Sequence, residues 1–303
     1  MSFRLIFLLA FSLAWSSVCS QHVLQTKFRS IADNMKGDLG VSALHIETGE
    51  SISFNGTAKF PMQSVYKVPI AMVMLHKVDA GEFSLQDIVE IHKSEYIPSA
   101  GHSPIRDKYP DGVRMTLRDI LEYNVSGSDG TACDVLLRLL GGTKKVQQSI
   151  HDEGVKQIAI ATTEMIQVAY DTIQYQNWAT PEAINDLLRI FHQGSYLSKG
   201  SQALLTKFMS ISSEYFDRRI KALLPKGTEV VHKTGTSRTY DGLTRATNDA
   251  GIITLPDGTH LAVTVFVSNS YDSGKEREMA IARAAKAAYE YWTVDKKGSL
   301  LKK

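Results

Sequence analysis

The spacing of hydrophobic residues changes twice along the chain and predicts three successive kinds of structure. After a predicted helix from about Gln25 to Met35, apolar and polar residues alternate over Gly40–Ile46 and again over Ser51–Phe54, with a four-residue turn between them. Alternation places successive side chains on opposite faces of a strand. This first part therefore predicts an antiparallel hairpin.

From Ser64 to about Thr206 the apolar residues recur at helical spacing instead. Thr116 and Thr180 are typical N-cap residues, and a proline follows Thr180 at the first helical position. The apolar stretch from Ala132 to Leu140 ends at two glycines, which is a common way for a helix to stop. The middle of the chain is therefore predicted to be helical.

Beyond residue 225 the strand pattern returns and is followed by one long helix. The segments Glu229–Lys233, Gly251–Leu255 and Leu261–Val267 are rich in Val, Ile and Thr, and a Pro-Asp-Gly turn joins the last two. Residues Lys275 to Trp292 are rich in alanine and contain no helix breaker. We predict a second hairpin here and a final helix that packs on the sheet.

This order of elements predicts a fold that is α/β in one part and all-α in the other. Both ends of the chain, residues 21–59 and 213–303, are expected to form one discontinuous α/β domain with an antiparallel sheet flanked by helices. Residues 60–212 are expected to form an inserted helical domain. A cleft between two such domains is a natural place for a binding site.

The first twenty residues have the layout of a secretory signal peptide. Arg4 precedes an apolar run from Leu5 to Trp15, and short or polar side chains follow up to Ser20. The run is too short to span a membrane comfortably. We expect cleavage after Ser20 and a periplasmic or secreted protein, with lipid attachment at Cys19 as a minor alternative.

The composition excludes several classes of function. The formal net charge is only +2, and no cluster of Lys and Arg suggests a nucleic-acid partner. The nine histidines show no metal-ligand spacing, so we predict neither a metal nor a cofactor. Removal of the signal peptide leaves Cys133 as the remaining cysteine, so no internal disulfide is expected. We expect a monomer that does not associate with a membrane.

A candidate nucleophile lies where the helical part begins. Ser64 and Lys67 are three residues apart, so on a helix the Lys67 amine would lie beside the Ser64 hydroxyl. A serine hydroxyl needs such a basic neighbour before it can attack a carbonyl. By itself the spacing is weak, because Ser64 could equally be an N-cap and Lys67 a solvated charge.

Three further stretches carry suitable chemistry. Ser128 lies in a loop of small residues, Glu164 lies in a segment without clear periodicity, and Lys233 lies at the end of a predicted strand, followed by Thr234-Gly235-Thr236. A loop carboxylate can act as a general base through water. Taken singly, each residue could also be a turn former, a surface carboxylate or a strand-edge charge.

Together, in this order, the four stretches form the motif set of class A β-lactamases and penicillin-binding proteins. Over essentially the whole predicted mature sequence the chain resembles class A serine β-lactamases, in particular the PER/VEB-like extended-spectrum branch. The similarity to this branch is also carried by residues 60–65, 174–178 and 246–249 and by the insert at 237–244. The resemblance implies the two-domain serine β-lactamase fold and hydrolysis of penicillins or cephalosporins, which would confer antibiotic resistance.

The resemblance also implies a role for each candidate residue. Ser64 would be acylated, and its proton would pass to Lys67, to Glu164 through water, or to both. Ser128 would protonate the leaving nitrogen, and Glu164 would activate the water that releases the acyl group. The remaining implied roles are an oxyanion hole from the backbone N–H groups of Ser64 and Thr236, and substrate binding by Gly130, Lys233, Thr234, Gly235, Thr236 and Arg219. Arg219 would support the carboxylate site, although a surface charge is the alternative.

Two positions depart from the family pattern. Gly130 stands where an asparagine is usual, which is expected to leave more room but fewer hydrogen bonds for the substrate. Val168 stands where an asparagine or histidine normally shares the deacylating water with Glu164, and Gln167 is a candidate substitute. We therefore expect intact acylation and slowed deacylation.

Two other functions remain open at this point. A D-alanyl-D-alanine peptidase would share the Ser, Lys and Lys-Thr-Gly motifs, but it would lack Glu164 and its loop. A β-lactam-binding sensor without turnover would explain Val168.

Overall fold

The computed structural model describes residues 22–210 and 216–295. The predicted signal peptide, residues 1–20, and the alternative lipid site at Cys19 lie outside the described residues and stay predictions. Over the two described ranges, no helix combines the length and the apolar character needed to cross a membrane.

The centre of the molecule is an antiparallel sheet of six strands. Its order is β2-β1-β11-β10-β8, with the short β9 attached to β10. The two hairpins predicted from alternation and turn residues are confirmed. The strands are β1 Asp38–His45, β2 Ser51–Phe54, β8 Val230–Thr236, β9 Thr239–Tyr240, β10 Leu243–Thr254 and β11 His260–Ser270.

Strand β10 extends well before the predicted segment that begins at Gly251. Its first half contains Thr247, Asn248 and Asp249, which interrupt the apolar pattern and yet are buried. These polar side chains are accommodated because each has a partner inside the protein, such as the imidazole of His232 at 2.9 Å from Asp249. Periodicity alone could not reveal this half of the strand.

Helices cover both faces of the sheet and form a group of their own. The predicted side-chain caps at Thr116 and Thr180 are present. Two small sheets join the helical part: β3 Phe60–Pro61 with β7 Trp178–Ala179 and β6 Ile158–Ala159, and β4 Ile88–Ile91 with β5 Val113–Thr116. The helices are α1 (22–33), α2 Lys67–Asp79, α3 Pro104–Lys108, α4 Leu117–Val125, α5 Gly130–Leu139, α6 Thr143–Asp152, α7 Glu164–Ala169, α8 Pro181–Gln193, α9 Lys199–Met209 and α10 Gly274–Glu290.

The two faces of the sheet belong to different hydrophobic cores. On β11, Val263 and Val265 pack with α1 and α10, whereas the alternate residues Ala262 and Phe266 pack with the helical part. This division follows from the two-residue period of a strand. Both faces of the central strands are therefore covered.

Helix α2 is the centre of the helical part. Every side chain from Lys67 to Leu75 is buried, which agrees with an apolar run that shows no polar face. Pro69 is the third residue of the helix, where its missing N–H group breaks no intrahelical hydrogen bond. Lys67 is thus the one charged group at the start of a buried helix.

The predicted domain boundaries at residues 60 and 212 stay a prediction. Helix α8, which falls in the predicted helical domain, packs against the sheet. The buried Asn185 of this helix donates hydrogen bonds to Ser42 Oγ at 2.9 Å and to the Ala262 carbonyl at 3.2 Å. These bonds fix the helical part to the strands.

Candidate active site

Ser64 lies in a single 3-10 turn, Gln63–Tyr66, that leads directly into α2. The turn is tied to the sheet because the Asn248 side chain of β10 donates to the carbonyls of Pro61 at 2.7 Å and Met62 at 3.1 Å. Gln63 has a positive φ of 47°, an uncommon backbone conformation for a residue other than glycine. The candidate nucleophile Ser64 therefore lies on a tightly bent segment that is hydrogen-bonded to the sheet.

The Lys67 ammonium connects three of the candidate residues. Its Nζ lies 2.8 Å from Ser64 Oγ, 3.0 Å from the Ser128 carbonyl and 2.8 Å from Glu164 Oε1. The side chain is 1% exposed. Burial is the largest single effect and lowers the pKa of Lys67, but the Glu164 carboxylate together with Cys133 and Asp129 outweighs it, so the pKa is raised. Lys67 is consequently protonated at neutral pH.

Glu164 begins α7 and is positioned through its backbone. Asp134 of α5 accepts hydrogen bonds from the backbone N–H groups of Glu164 at 2.7 Å and Met165 at 2.9 Å. Thr163 caps the same turn with its side chain. Burial and the nearby Glu164 raise the pKa of Asp134 to about 7. A carboxylate on another helix thus fixes the direction in which Glu164 points.

Ser128 is presented to the cleft between two lysines. Its φ is 51°, so the loop makes a sharp turn there. Lys233 Nζ lies 2.9 Å from Ser128 Oγ, on the side opposite the contact of Lys67 with the Ser128 carbonyl. Burial and the neighbouring Lys67 cation lower the pKa of Lys233 to about 7. The charged and neutral forms of Lys233 are therefore present in similar amounts near pH 7.

Position 235 has no room for a side chain, because the backbone of the Ser64 turn lies directly beside it. A Cβ atom at this position would lie 2.6 Å from the Met62 carbonyl oxygen and 3.1 Å from Ser64 N. A side chain here would push β8 away from the turn that carries the nucleophile. The close contact at Gly235 is thus one between two segments of the protein backbone.

Arg219 is buried behind the same strand, so the alternative of a surface charge is wrong. It is 1% exposed, and its guanidinium donates to the carbonyls of Gly235 at 3.1 Å and Asn248 at 2.7 Å and to Thr236 Oγ1 at 2.6 Å. Glu278 of α10 lies 3.7 Å away. Arg219 therefore adds positive charge next to Thr236 and orients its hydroxyl.

Gly130 does not leave more room in the site, so this expectation is wrong. A Cβ atom on Gly130 would lie 2.5 Å from Ile97 Cδ1 and 3.3 Å from Glu164 Cβ. The Ile97 side chain thus occupies the space that a longer residue would need. Gly130 is buried at the first position of α5.

Val168 and Gln167 point in different directions. A Cβ atom on Gly101 would lie 2.6 Å from Val168 Cγ2, so the valine packs against this loop, and both residues line the cavity that contains Ser64 and Glu164. Gln167 is buried, its Nε2 lies 3.2 Å from the Tyr66 hydroxyl, and its Oε1 has no hydrogen-bond partner within residues 22–210 and 216–295. Glu164 and Gln167 share one face of α7 because they are three residues apart.

These groups line one cavity of about 540 Å³. A larger cavity of about 740 Å³ lies beside α4, but none of the proposed catalytic side chains reaches it. The smaller cavity is therefore the candidate active site. Of the residues singled out from the sequence, those that line it are Ser64, Lys67, Ser128, Glu164, Gln167, Val168, Thr234 and Thr236, whereas Lys233, Gly235, Arg219 and Gly130 are not part of its lining.

Four residues with supporting positions were not predicted from the sequence. Asp134 holds the backbone of Glu164, Asn124 donates to the Lys67 carbonyl at 3.1 Å, and Asn248 holds the turn of Ser64. Arg238 of the insert donates to the Val168 carbonyl at 2.9 Å and closes one side of the cleft. The available signal was a polar side chain inside an otherwise apolar helix or strand, which is costly unless it has a partner.

Comparison with known proteins identifies the family. The model of the β-lactamase enzyme family matches residues 23–292. The chain is 39% identical to the extended-spectrum β-lactamase PER-1 of Pseudomonas aeruginosa over 89% of this chain and 87% of that protein. It is 36% identical to β-lactamase VEB-1 of Pseudomonas aeruginosa over 94% and 95% of the two chains.

Solved structures agree with these sequence matches. A β-lactamase from Chitinophaga pinensis DSM 2588 is 44% identical, with a TM-score of 0.86 over 89% of this chain and 99% of that chain. The TLA-1 extended-spectrum β-lactamase is 40% identical, with a TM-score of 0.87 over 90% and 99%. The chain therefore belongs to the β-lactamase enzyme family, as a class A serine enzyme similar to PER-1 and VEB-1. The predicted fold class and the predicted hydrolase class are confirmed.

The filled space beside Gly130 generates a first prediction. We expect Gly130→Asn to lower both the rate of β-lactam hydrolysis and the free energy of unfolding, the latter by about 1–3 kcal/mol, because the new side chain overpacks against Ile97. The second substitution Ile97→Ala should recover part of the loss. Activity assays and thermal denaturation measure both effects.

Gly200→Asn is the matched control, since Gly200 also lies in the first turn of a helix and has open space around it. Unchanged stability and activity of Gly130→Asn would contradict the packing argument.

Proposed function

We propose that this protein hydrolyses the amide bond of β-lactam antibiotics through an acyl-enzyme on Ser64. The observation that carries the proposal is the position of one buried ammonium, Lys67, at 2.8 Å from both Ser64 Oγ and Glu164 Oε1. Membership of the β-lactamase enzyme family supports the same reaction. Hydrolysis of the drug would confer resistance on the cell that makes the protein.

In the acylation step, Ser64 Oγ attacks the lactam carbonyl and loses its proton. Because the raised pKa keeps Lys67 protonated, we assign Glu164 as the final proton acceptor. Lys67 can take the Ser64 proton while passing one of its own to Glu164, since both oxygens are within hydrogen-bond distance of its Nζ. The backbone N–H groups of Ser64 and Thr236 would stabilise the oxyanion.

Ring opening needs a proton on the leaving nitrogen. Ser128 is the proposed donor, and Lys233 Nζ, 2.9 Å from its hydroxyl, stabilises negative charge that develops on the oxygen. Lys233, Thr234 and Thr236 are the proposed binding groups for the substrate carboxylate, and Arg219 orients Thr236 from behind. Gly235 permits the close approach of this strand to Ser64.

Before the release step, Glu164 would return its proton through Lys67 to the Ser128 oxygen, which gave its own proton to the ring nitrogen. Glu164 would then activate a water that hydrolyses the acyl-enzyme. Val168 packs against the opposite loop and has no polar atom to hold this water. We propose that the Gln167 side chain, whose buried Oε1 has no hydrogen-bond partner among the described residues, turns toward the cleft and accepts the second hydrogen bond of this water. Gln167 would then partly offset the slow deacylation expected from Val168.

We infer a few properties of the protein outside the reaction itself. Because the similar proteins PER-1 and TLA-1 are named extended-spectrum β-lactamases, we include cephalosporins among the expected substrates. The N-terminal sequence pattern supports export, to the periplasm or the medium. We propose a monomer, which size-exclusion chromatography of the untagged protein tests.

Hydrolysis of a chromogenic cephalosporin tests the proposed function. We expect steady turnover by the parent protein, none by Ser64→Ala, and accumulation of a covalent adduct in Glu164→Ala. Without the Glu164 carboxylate, which raises its pKa, the buried Lys67 can itself accept the Ser64 proton, whereas the release step lacks its base. Intact-mass spectrometry detects the adduct.

Three other results would contradict the proposal or one of its assignments. A single stoichiometric burst by the parent protein would indicate a β-lactam sensor. Negligible hydrolysis together with cleavage of a D-alanyl-D-alanine peptide would indicate a peptidase. Turnover by Glu164→Ala at the parent rate would remove Glu164 from its assigned role.

The release step can be tested separately at Gln167. We expect Gln167→Leu to slow deacylation about tenfold, because one hydrogen bond of about 1–1.5 kcal/mol to the water is lost. The control Val168→Thr should leave the rate unchanged, since this side chain faces Gly101. Stopped-flow mixing measures the acylation and deacylation rates of both variants. Slower deacylation by Val168→Thr than by Gln167→Leu would refute the assignment of Gln167.

The lowered pKa of Lys233 predicts a pH dependence. The charged form, which attracts the substrate carboxylate, is present below about pH 7 and is lost as the pH rises through this value. We therefore expect kcat/KM to fall above about pH 7, and the fall to be absent in Lys233→Arg, whose guanidinium stays charged.

The exposed substitution Lys77→Arg serves as the control for general effects on activity. A flat profile of kcat/KM for the parent protein up to pH 9, about two units above the pKa, would show that Lys233 keeps its charge.

A further inference from the structure

A cluster of two histidines and one carboxylate lies on the surface far from the cleft. Glu47 lies in the turn between β1 and β2, His192 in the last turn of α8, and His260 at the start of β11. One potential ligand atom from each of the three lies within 4.8 Å of the others. Three separate elements of the fold thus bring metal-binding side chains together.

We propose that Glu47, His192 and His260 bind a divalent transition-metal ion, with Zn²⁺ as the preferred candidate. Two imidazoles and a carboxylate are suitable ligands for Zn²⁺, which bonds nitrogen and oxygen at about 2.0–2.2 Å. Small side-chain rotations bring three atoms at the observed separations around one ion. Water would complete the coordination at this exposed position.

Glu47 and His260 are already oriented toward each other. Glu47 Oε1 lies 2.7 Å from His260 Nδ1, and Glu47 Oε2 accepts the backbone N–H of His260 at 2.9 Å. His45 lies 3.6 Å from the same carboxylate, but its ring nitrogens contact Thr48 and Thr259. A metal ion would take the place of the hydrogen shared by Glu47 and His260.

His192 supplies the third ligand. Its ring centroid is 4.1 Å from that of His260, and the planes are tilted by 44°. Among residues 22–210 and 216–295, none hydrogen-bonds a ring nitrogen of His192, and the ring is only half-buried. The C-terminal end of α8 also favours a cation, because the helix dipole is negative there.

This site is independent of the proposed β-lactam chemistry. The register places Val267 of β11 beside Thr247 of β10, which in turn pairs with Thr236 at the cleft. His260 lies seven residues earlier on β11, which corresponds to roughly 23 Å along the strand. A bound metal ion would therefore connect the β1–β2 turn, α8 and the β10–β11 hairpin. We expect it to increase the stability of the protein and to leave β-lactam hydrolysis unchanged.

Titration of chelator-treated, untagged protein with zinc chloride tests the proposal. Isothermal calorimetry should give one saturable site per chain, and saturation should raise the melting temperature because the ion binds only the folded state. His192→Ala and His260→Ala should each weaken binding by about tenfold or more. Cephalosporin hydrolysis should be unchanged at saturating zinc.

His92→Ala is the matched control, because His92 also lies near a carboxylate, Glu90 at 3.8 Å, but is well exposed. The melting temperature without metal shows whether each variant is folded, and His192→Gln replaces His192→Ala if that variant is not. Absence of a saturable site, equal binding by the double variant His192→Ala/His260→Ala, or inhibition of hydrolysis in step with zinc binding would overturn the proposal.

Discussion

The rest of the site depends on the burial of one ammonium group at the start of α2. A charge in the protein interior is costly unless partners surround it. Lys67 obtains these partners from Ser64, Ser128 and Glu164, which come from a turn, a loop and a short helix. The need to satisfy one buried charge therefore determines where three segments of the chain must meet, and these segments carry the proposed nucleophile, proton donor and base.

Lys233 differs from Lys67 in the direction of its pKa shift, and this difference affects substrate binding. Both lysines contact Ser128, Lys67 at its carbonyl and Lys233 at its hydroxyl. The Glu164 carboxylate raises the pKa of Lys67, whereas burial and the positive charge of Lys67 lower that of Lys233. Negative charge from a substrate carboxylate would stabilise protonated Lys233. Binding of the substrate carboxylate and protonation of Lys233 are therefore expected to be coupled.

Both departures from the family pattern are explained by packing against the loop at 97–101. Ile97 fills the space beside Gly130, and Val168 packs against Gly101. An asparagine at either position would have to displace an apolar side chain or find room that this loop occupies. The helix that carries Glu164 is thus packed tightly on one side, while Gln167 on its inner face has a free acceptor.

The sequence by itself determined the hairpins, the buried α2, the capped helices and the order of the catalytic motifs, because these depend on local periodicity and spacing. It did not reveal the buried polar half of β10, the support of Glu164 by Asp134, or the side chain of Ile97 beside Gly130. It also gave no sign that Glu47, His192 and His260 lie together. These features were decided by tertiary structure, because each depends on contacts between residues far apart in the chain, which local patterns do not encode.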